Sequence, residues 1–198
     1  MDEIIYIIYR KNKVKLDRNF YKNYIKGVTN TMELIKEIYD DGFVQNADQA
    51  YRVRKAARAV VINDRDEIAL LFVTNGNYHK LPGGGIRDNE TIYDALKREV
   101  EEEVGTMIED IEELGMILEY RGEVGQLQIS YGYKAHATGE LKQPIYTEEE
   151  LNDGFVLRWV PMHIAIEIMK QDQPNNYIGK FIQNRDLELL LKADELFF

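Results

Sequence analysis

Cysteine is absent from the 198 residues, which excludes disulfide frameworks, thiol nucleophiles and thiolate zinc sites together. Histidine is nearly as scarce, and His79, His136 and His163 are too scattered for a local zinc motif. No apolar run approaches the roughly 20 residues that a membrane span needs. The opening stretch, Met1 to Lys13, has its charges and apolar run in the wrong order and length for a secretory signal. A cytoplasmic protein is therefore expected, with no membrane partner. Internal repeats and low-complexity tracts are missing as well. Net positive charge is missing too: the formal charge is −10, which argues against bulk nucleic acid or anionic membrane as a partner.

What is present describes an ordinary globular chain, with 44% hydrophobic and 30% charged residues. Its length suits one domain with added elements, or two small ones. The charge is uneven. Residues 1–58 hold 12 Lys/Arg against 8 Asp/Glu, and residues 59–198 hold 13 against 27. The run Ile4 to Tyr9 reads as a buried strand, a basic segment follows to Arg18, and Phe20 to Tyr39 has apolar residues at helical spacing. Asp40, Asp41 and Gly42 would stop that helix, and 46–58 leads into the second part. Residues 59–62 and 68–73 are apolar runs joined by a hairpin signal at 63–66. Later strands are expected at 113–120, 127–137 and 155–160, and closing helices at about 161–171 and 178–195. Strands flanked by helices predict an α/β layered fold with a mixed sheet.

The informative segment is Leu81–Gly105, LPGGGIRDNETIYDALKREVEEEVG. On a helix starting near Asn89 or Glu90, Ile92, Leu96, Val100 and Val104 form one apolar stripe, and Asp94, Lys97 and Glu101 lie opposite. Glu99 and Glu103 fall within or beside that stripe, with Glu102 just off its edge. Carboxylates gathered at a core-facing margin repel one another and lose hydration. A hard divalent cation such as Mg²⁺ or Mn²⁺ removes both penalties, and residues at i, i+3 and i+4 can converge on one. A merely solvated charge run is the plainer reading, and it explains inward-turned carboxylates poorly.

These residues resemble the signature of the Nudix (MutT-like) hydrolases, G-x5-E-x7-R-E-U-x-E-E-x-G-U, where U is a bulky aliphatic residue. Gly84, Glu90, Arg98, Glu99, Val100, Glu102, Glu103 and Gly105 stand in their required places. Only Thr106 departs, in a position that should feel a small packing effect at most. The resemblance covers about 56–165. It implies a Nudix-type α/β/α sandwich over 56–198; residues 1–55 fall outside it and read as an N-terminal strand–helix extension that packs on that domain or drives homodimerisation. It also implies Mg²⁺-dependent hydrolysis, Mn²⁺ being the other candidate, of a pyrophosphate bond in a nucleoside diphosphate linked to another moiety. A nucleoside triphosphate is the default substrate. In that reading Glu99, Glu102 and Glu103 hold the metal, Arg98 orients them, and Glu90 braces the loop–helix junction or meets the metal through water. Gly83 and Gly84 let the backbone approach the substrate. The general base is either Glu149, in the acidic run 148–150, or Glu99 or Glu103 acting through water. Thr147 and Glu150 also fit a capping box for a short helix there.

Arg58 and Arg87 are the arginines assigned to substrate phosphates, with Arg52, Arg54 and Arg121 as further candidates. Arg87 stands where many family members have an acidic residue, and Asn89 where glycine is common. Tyr78 and His79 could line the loop. Tyr131 and Tyr133 could stack on a base, with core packing favoured. The competing function is a nucleotide-sensing module of the same fold with weak or no catalysis.

Overall fold

A thirteen-residue strand, β3 (Ala50–Ile62), is the axis of the computed structural model, which describes residues 4–6, 32–40 and 50–197. Its side chains alternate. Arg52, Arg54, Ala56, Arg58, Val60 and Ile62 point to one face, and Ala57, Ala59 and Val61 to the other. Along one edge β3 pairs in parallel with β7 (Gln126–Thr138), from Arg52 opposite Gln126 to Ile62 opposite His136. The other edge is paired only near its ends, with β1 (Ile4–Tyr6) and with β4 (Glu67–Val73) at Ile62.

The glycine segment closes the gap between them. Ala57 N–H donates to Gly84 O at 3.0 Å, Ala59 N–H to Pro82 O at 3.0 Å, and Ile86 N–H to Lys55 O at 3.1 Å. The loop thus serves as a strand segment, and its backbone is as fixed as the sheet's own.

The sheet continues outward as β2 (Leu34–Tyr39), β6 (Met107–Arg121), β7, β3, β4 and β5 (Tyr78–Lys80), with β8 (Phe155–Pro161) also on β4. β2–β6 and β3–β7 are parallel and the remaining pairs antiparallel, so the sheet is mixed. Helix α1 (Ile92–Val104) lays Ala95, Leu96, Val100 and Val104 against Ala57, Ala59, Val61 and Tyr133. After the short α2 (Glu148–Asp153), helices α3 (Met162–Gln171) and α4 (Tyr177–Phe197) cover Val60, Ile62, Ile68, Leu70 and Ile117 on the other face. The result is the expected α/β/α sandwich. Thr91, with Asp94 as its capping-box partner, starts α1 two residues later than the periodicity suggested, and Gly105 at φ 76° ends it.

One expected element is different. The helix read over Phe20 to Tyr39 is a strand from Leu34 to Tyr39, parallel to β6. A bulge between Leu34 and Lys36 makes Ile35 the extra residue, so Ile35 and Ile38 both pack toward α4. Their spacing of three imitates a helical face. Residues 20–31 of that reading, the continuation of the first strand over 7–9, the basic segment to Arg18, and residues 46–49 lie outside the described residues. β3 runs without a break through residues 55 and 56, and β2 is an edge of the same sheet.

Candidate active site

The Gly83–Gly85 loop leaves no room for side chains where it meets α1. Gly83 has φ +134°, and a Cβ there would collide with the Ala57 carbonyl. At Gly84 the space a Cβ would occupy is filled by the Glu99 carboxylate. Sheet, loop and helix therefore fix Glu99 against the backbone.

Arg98 organises the exposed side of this junction. Its Nε and Nη2 donate to the two Glu90 oxygens at 2.7 and 3.0 Å, and Nη2 also donates to Gly85 O at 3.1 Å. Its Nη1 donates to Glu99 at 2.7 Å and to Glu102 at 3.1 Å. Hydrogen bonds from Arg98 hold the Glu90 carboxyl down at about 2, and Glu90 in turn raises the guanidinium further. Arg98 thus holds the carboxylates of Glu90, Glu99 and Glu102 about one guanidinium.

Glu103 faces inward and is 1% exposed. It accepts from Lys80 Nζ at 2.6 Å and from Gly83 N–H at 2.7 Å. Burial pushes its carboxyl up, against the opposing charges of Lys80 and Arg58. Among the described residues no three acidic or histidine side chains converge as a closed metal cage. Glu99 and Glu102 share one guanidinium nitrogen, whereas Glu103 is turned to Lys80. This donor set of hard carboxylate oxygens beside an open glycine backbone fits Mg²⁺ or Mn²⁺, with Glu99 and Glu102 as the convergent pair and Glu103 on the buried side.

The other candidates separate clearly. Arg87 is well exposed; its backbone N–H donates to Glu90 at 2.9 Å and its guanidinium lies 3.7 Å from Glu102. Arg58 is buried on β3, and burial brings its guanidinium down to about 10. Glu149 is exposed in the first turn of α2, where Thr147 and Glu150 form the capping box. That turn follows a loop docked on α1, since Ile145 N–H donates to Glu102 O at 2.7 Å. Tyr133 is core, 2% exposed and beside Tyr93. Tyr78 and His79 are strand residues rather than loop lining, and His79 is buried with Nδ1 at 2.9 Å from Asp172. Arg121 is buried and donates to Glu119 at 2.8 Å.

Sequence reading missed Lys80, Arg185 and Asp186 here. Lys80 holds Glu103, and a lysine closing an apolar strand just before the glycines was the available signal. Asp186, fully buried on α4, accepts the Leu81 N–H at 2.9 Å and two N–H bonds from Arg185. Partners 105 residues apart leave no local pattern.

A glycine loop knitted into a sheet edge, against a helix whose carboxylates gather on one arginine, defines an α/β/α protein of mixed sheet with a polar loop–helix junction. The model of the NUDIX domain matches residues 52–181. The chain belongs to the NUDIX family, and it is a hydrolase of the Nudix type. Among solved structures, the E. coli ORF135 protein is similar at 17% identity, over 74% of this chain and 91% of that one, with a TM-score of 0.51. The MutT NUDIX hydrolase of Burkholderia pseudomallei is 22% identical over 68% of this chain and 98% of its own, at TM-score 0.49. The mMutator MutT protein of Bacillus halodurans has the same identity and TM-score, over 68% and 82%. At 17% identity the likeness to the E. coli ORF135 protein bears on the fold alone. No curated protein matches the chain. Among the described residues no helix is long and apolar enough to cross a membrane.

Proposed function

We propose that this hydrolase cleaves a pyrophosphate bond in a nucleoside diphosphate linked to another moiety, a nucleoside triphosphate by default, with Mg²⁺ or Mn²⁺ as cofactor. The observation that carries the reading is the convergence of Glu99 and Glu102 on Arg98 Nη1, beside the bare Gly84 backbone. A divalent cation bound there would neutralise phosphate oxygens and acidify a water. The chain's own residues do the rest. Glu99, Glu102 and Glu103 are the ligands, Arg98 and Glu90 keep two of them oriented, and Gly83 and Gly84 admit the substrate to the backbone. Arg58 and Arg87 meet substrate phosphates, and Glu149 takes the proton of the attacking water. Glu99 or Glu103 acting through a water is the other assignment for that base. Residues 1–55 are an extension of the 56–198 unit and a candidate homodimer contact, which sedimentation of the full chain would read. The setting is cytoplasmic and the partner a small nucleotide rather than nucleic acid.

The test is a broad nucleotide panel with Mg²⁺ and with Mn²⁺, with identification of products. Metal-dependent release of phosphate or pyrophosphate is expected. Glu102→Gln, which can still accept from Arg98, should lower kcat about 100-fold or more. Absence of turnover on every nucleotide would count against the reading, and tight nucleotide binding without hydrolysis would identify a sensing module instead.

A further inference from the structure

Both oxygens of Glu103 are already engaged. Oε1 accepts from Lys80 Nζ at 2.6 Å and Oε2 from Gly83 N–H at 2.7 Å. Glu99 and Glu102 differ, since each gives one oxygen to Arg98 Nη1.

The two partners of Glu103 are unlike in mobility. Gly83 lies between Pro82 and Gly84, whose carbonyls are bonded to β3, so its N–H is fixed. Lys80 ends β5 opposite Leu71, and its ammonium sits at the end of a flexible four-carbon stem. The Nζ also lies 4.6 Å over the centroid of the Phe155 ring, and Tyr146 meets that ring edge-on with centroids 5.8 Å apart. Lys80, 7% exposed, is thus held between a carboxylate and an aromatic face that can keep its charge company. Of the two donors, only Lys80 can give up Glu103 without moving the backbone.

A hard cation and an ammonium compete for the same carboxylate oxygen. Their repulsion is strong where both are shielded from water, and Arg58 adds a further positive charge near Glu103. Arg98 opposes a cation less, because it spreads one charge over Glu90, Glu99 and Glu102, whereas Lys80 bonds Glu103 alone among the described residues.

We propose that Lys80 competes with the divalent cation for Glu103 and so positions that carboxylate. Without substrate the protein binds its cation through Glu99 and Glu102, and Glu103 becomes a ligand only when Lys80 releases it and stays on Phe155. This rests on the divalent-cation reading above, and it gives a residue outside the signature control over how many carboxylates serve as ligands.

Mn²⁺ binding to the substrate-free full chain, read from the EPR signal of free Mn²⁺, is the test. Lys80→Met, which keeps the stem and removes the charge, should bind Mn²⁺ about tenfold more tightly than wild type. Lys80→Arg keeps the charge and should stay within about threefold of wild type. Adding Glu103→Gln to Lys80→Met should abolish the gain. Should Lys80→Met fail to fold, Lys80→Gln takes its place, since it can still donate to Glu103 without a charge. In a second arm, Mn²⁺ should raise the Tm of the uncharged variant by more than that of wild type. A role limited to packing predicts equal or weaker Mn²⁺ binding in the uncharged variants, and that result would overturn the inference. So would a gain that survives Glu103→Gln, or Mn²⁺ binding by none of these proteins, which would remove the cation reading as well. Failure of the hydrolase reading looks different: no nucleotide is turned over while the difference in Mn²⁺ affinity persists.

Discussion

Two clusters of arginine and carboxylate grip the same loop from opposite ends, and their charge balance is reversed. Arg98 reaches Gly85 O and serves three carboxylates, Glu90, Glu99 and Glu102, with its side chain 18% exposed. Asp186 holds Leu81 N–H from the other end, in a cluster where guanidinium groups outnumber carboxylates and Arg185, Glu119 and Asp186 have no exposure. The acidic surplus is where water and cations can reach it. The basic surplus lies on the sheet face under α4, where Arg58, Arg121 and Arg185 are buried and Arg54 is exposed. A chain of net charge −10 thus carries opposite local surpluses at the two ends of one loop.

Arg185→Leu should give the largest effect, because it removes the guanidinium that pairs with Asp186 in the interior and one of the two that reach Glu119. Breaking a buried ionic network by removing one partner costs about 3–5 kcal/mol, which corresponds to a Tm lowered by about 10 °C at this size. Thermal unfolding checks it. Arg98→Gln should do the reverse, with a stability loss near 1 kcal/mol and kcat lowered about 100-fold, as seen by unfolding and steady-state kinetics side by side. If both variants lose stability equally, the division between a stabilising cluster and a working one fails.

The next effect is on acid tolerance. Glu90 is held at about 2, mainly by hydrogen bonds from Arg98, against an ordinary value of 4.5. Its depressed value means that its stabilising contribution is complete above about pH 4.5 and is lost as pH falls through about 2. Glu90→Gln should therefore be less stable than wild type at pH 6, and the difference should shrink from pH 4.5 toward 2. A difference that stays constant across that range would show that Glu90 acts by packing alone.

Much of this was legible because it is local. The box residues lie within one loop and one helix, so the wheel placed Glu99 and Glu103 inward and Asp94 and Glu101 outward, as found. Thr147 and Glu150 cap α2 as their spacing suggested. Illegible features depend on distant partners or on irregularity. The bulge at Ile35 disguised a strand as a helix. Arg121 read as a surface phosphate contact, yet it is buried, because Phe181 of α4, whose ring lies 5.7 Å from its guanidinium, is sixty residues away in sequence. Thr106 read as a slightly wrong aliphatic, yet its hydroxyl lies 3.0 Å from Thr138 O and 3.1 Å from Met107 O, so it bonds where an aliphatic residue would only pack.

The smallest effect concerns a departure that the structure explains. Asn89 stands where related sequences commonly have glycine, and its φ is +64°, in the left-handed region. It belongs to the turn closed by Glu90 N–H on Arg87 O at 3.2 Å, which delivers Glu90 to Arg98. Asparagine tolerates that conformation far better than residues with an ordinary Cβ environment, and glycine tolerates it freely. Asn89→Gly should therefore stay within about 0.5 kcal/mol of wild type, since relieved strain is offset by a more flexible unfolded chain. Asn89→Ala should cost about 1 kcal/mol, or a Tm shift of about 3 °C. Because Glu90 enters α1 through this turn, the alanine variant should also lose kcat a few-fold while the glycine variant keeps it. An alanine variant as stable and active as wild type would show that the left-handed turn does not govern the placement of Glu90.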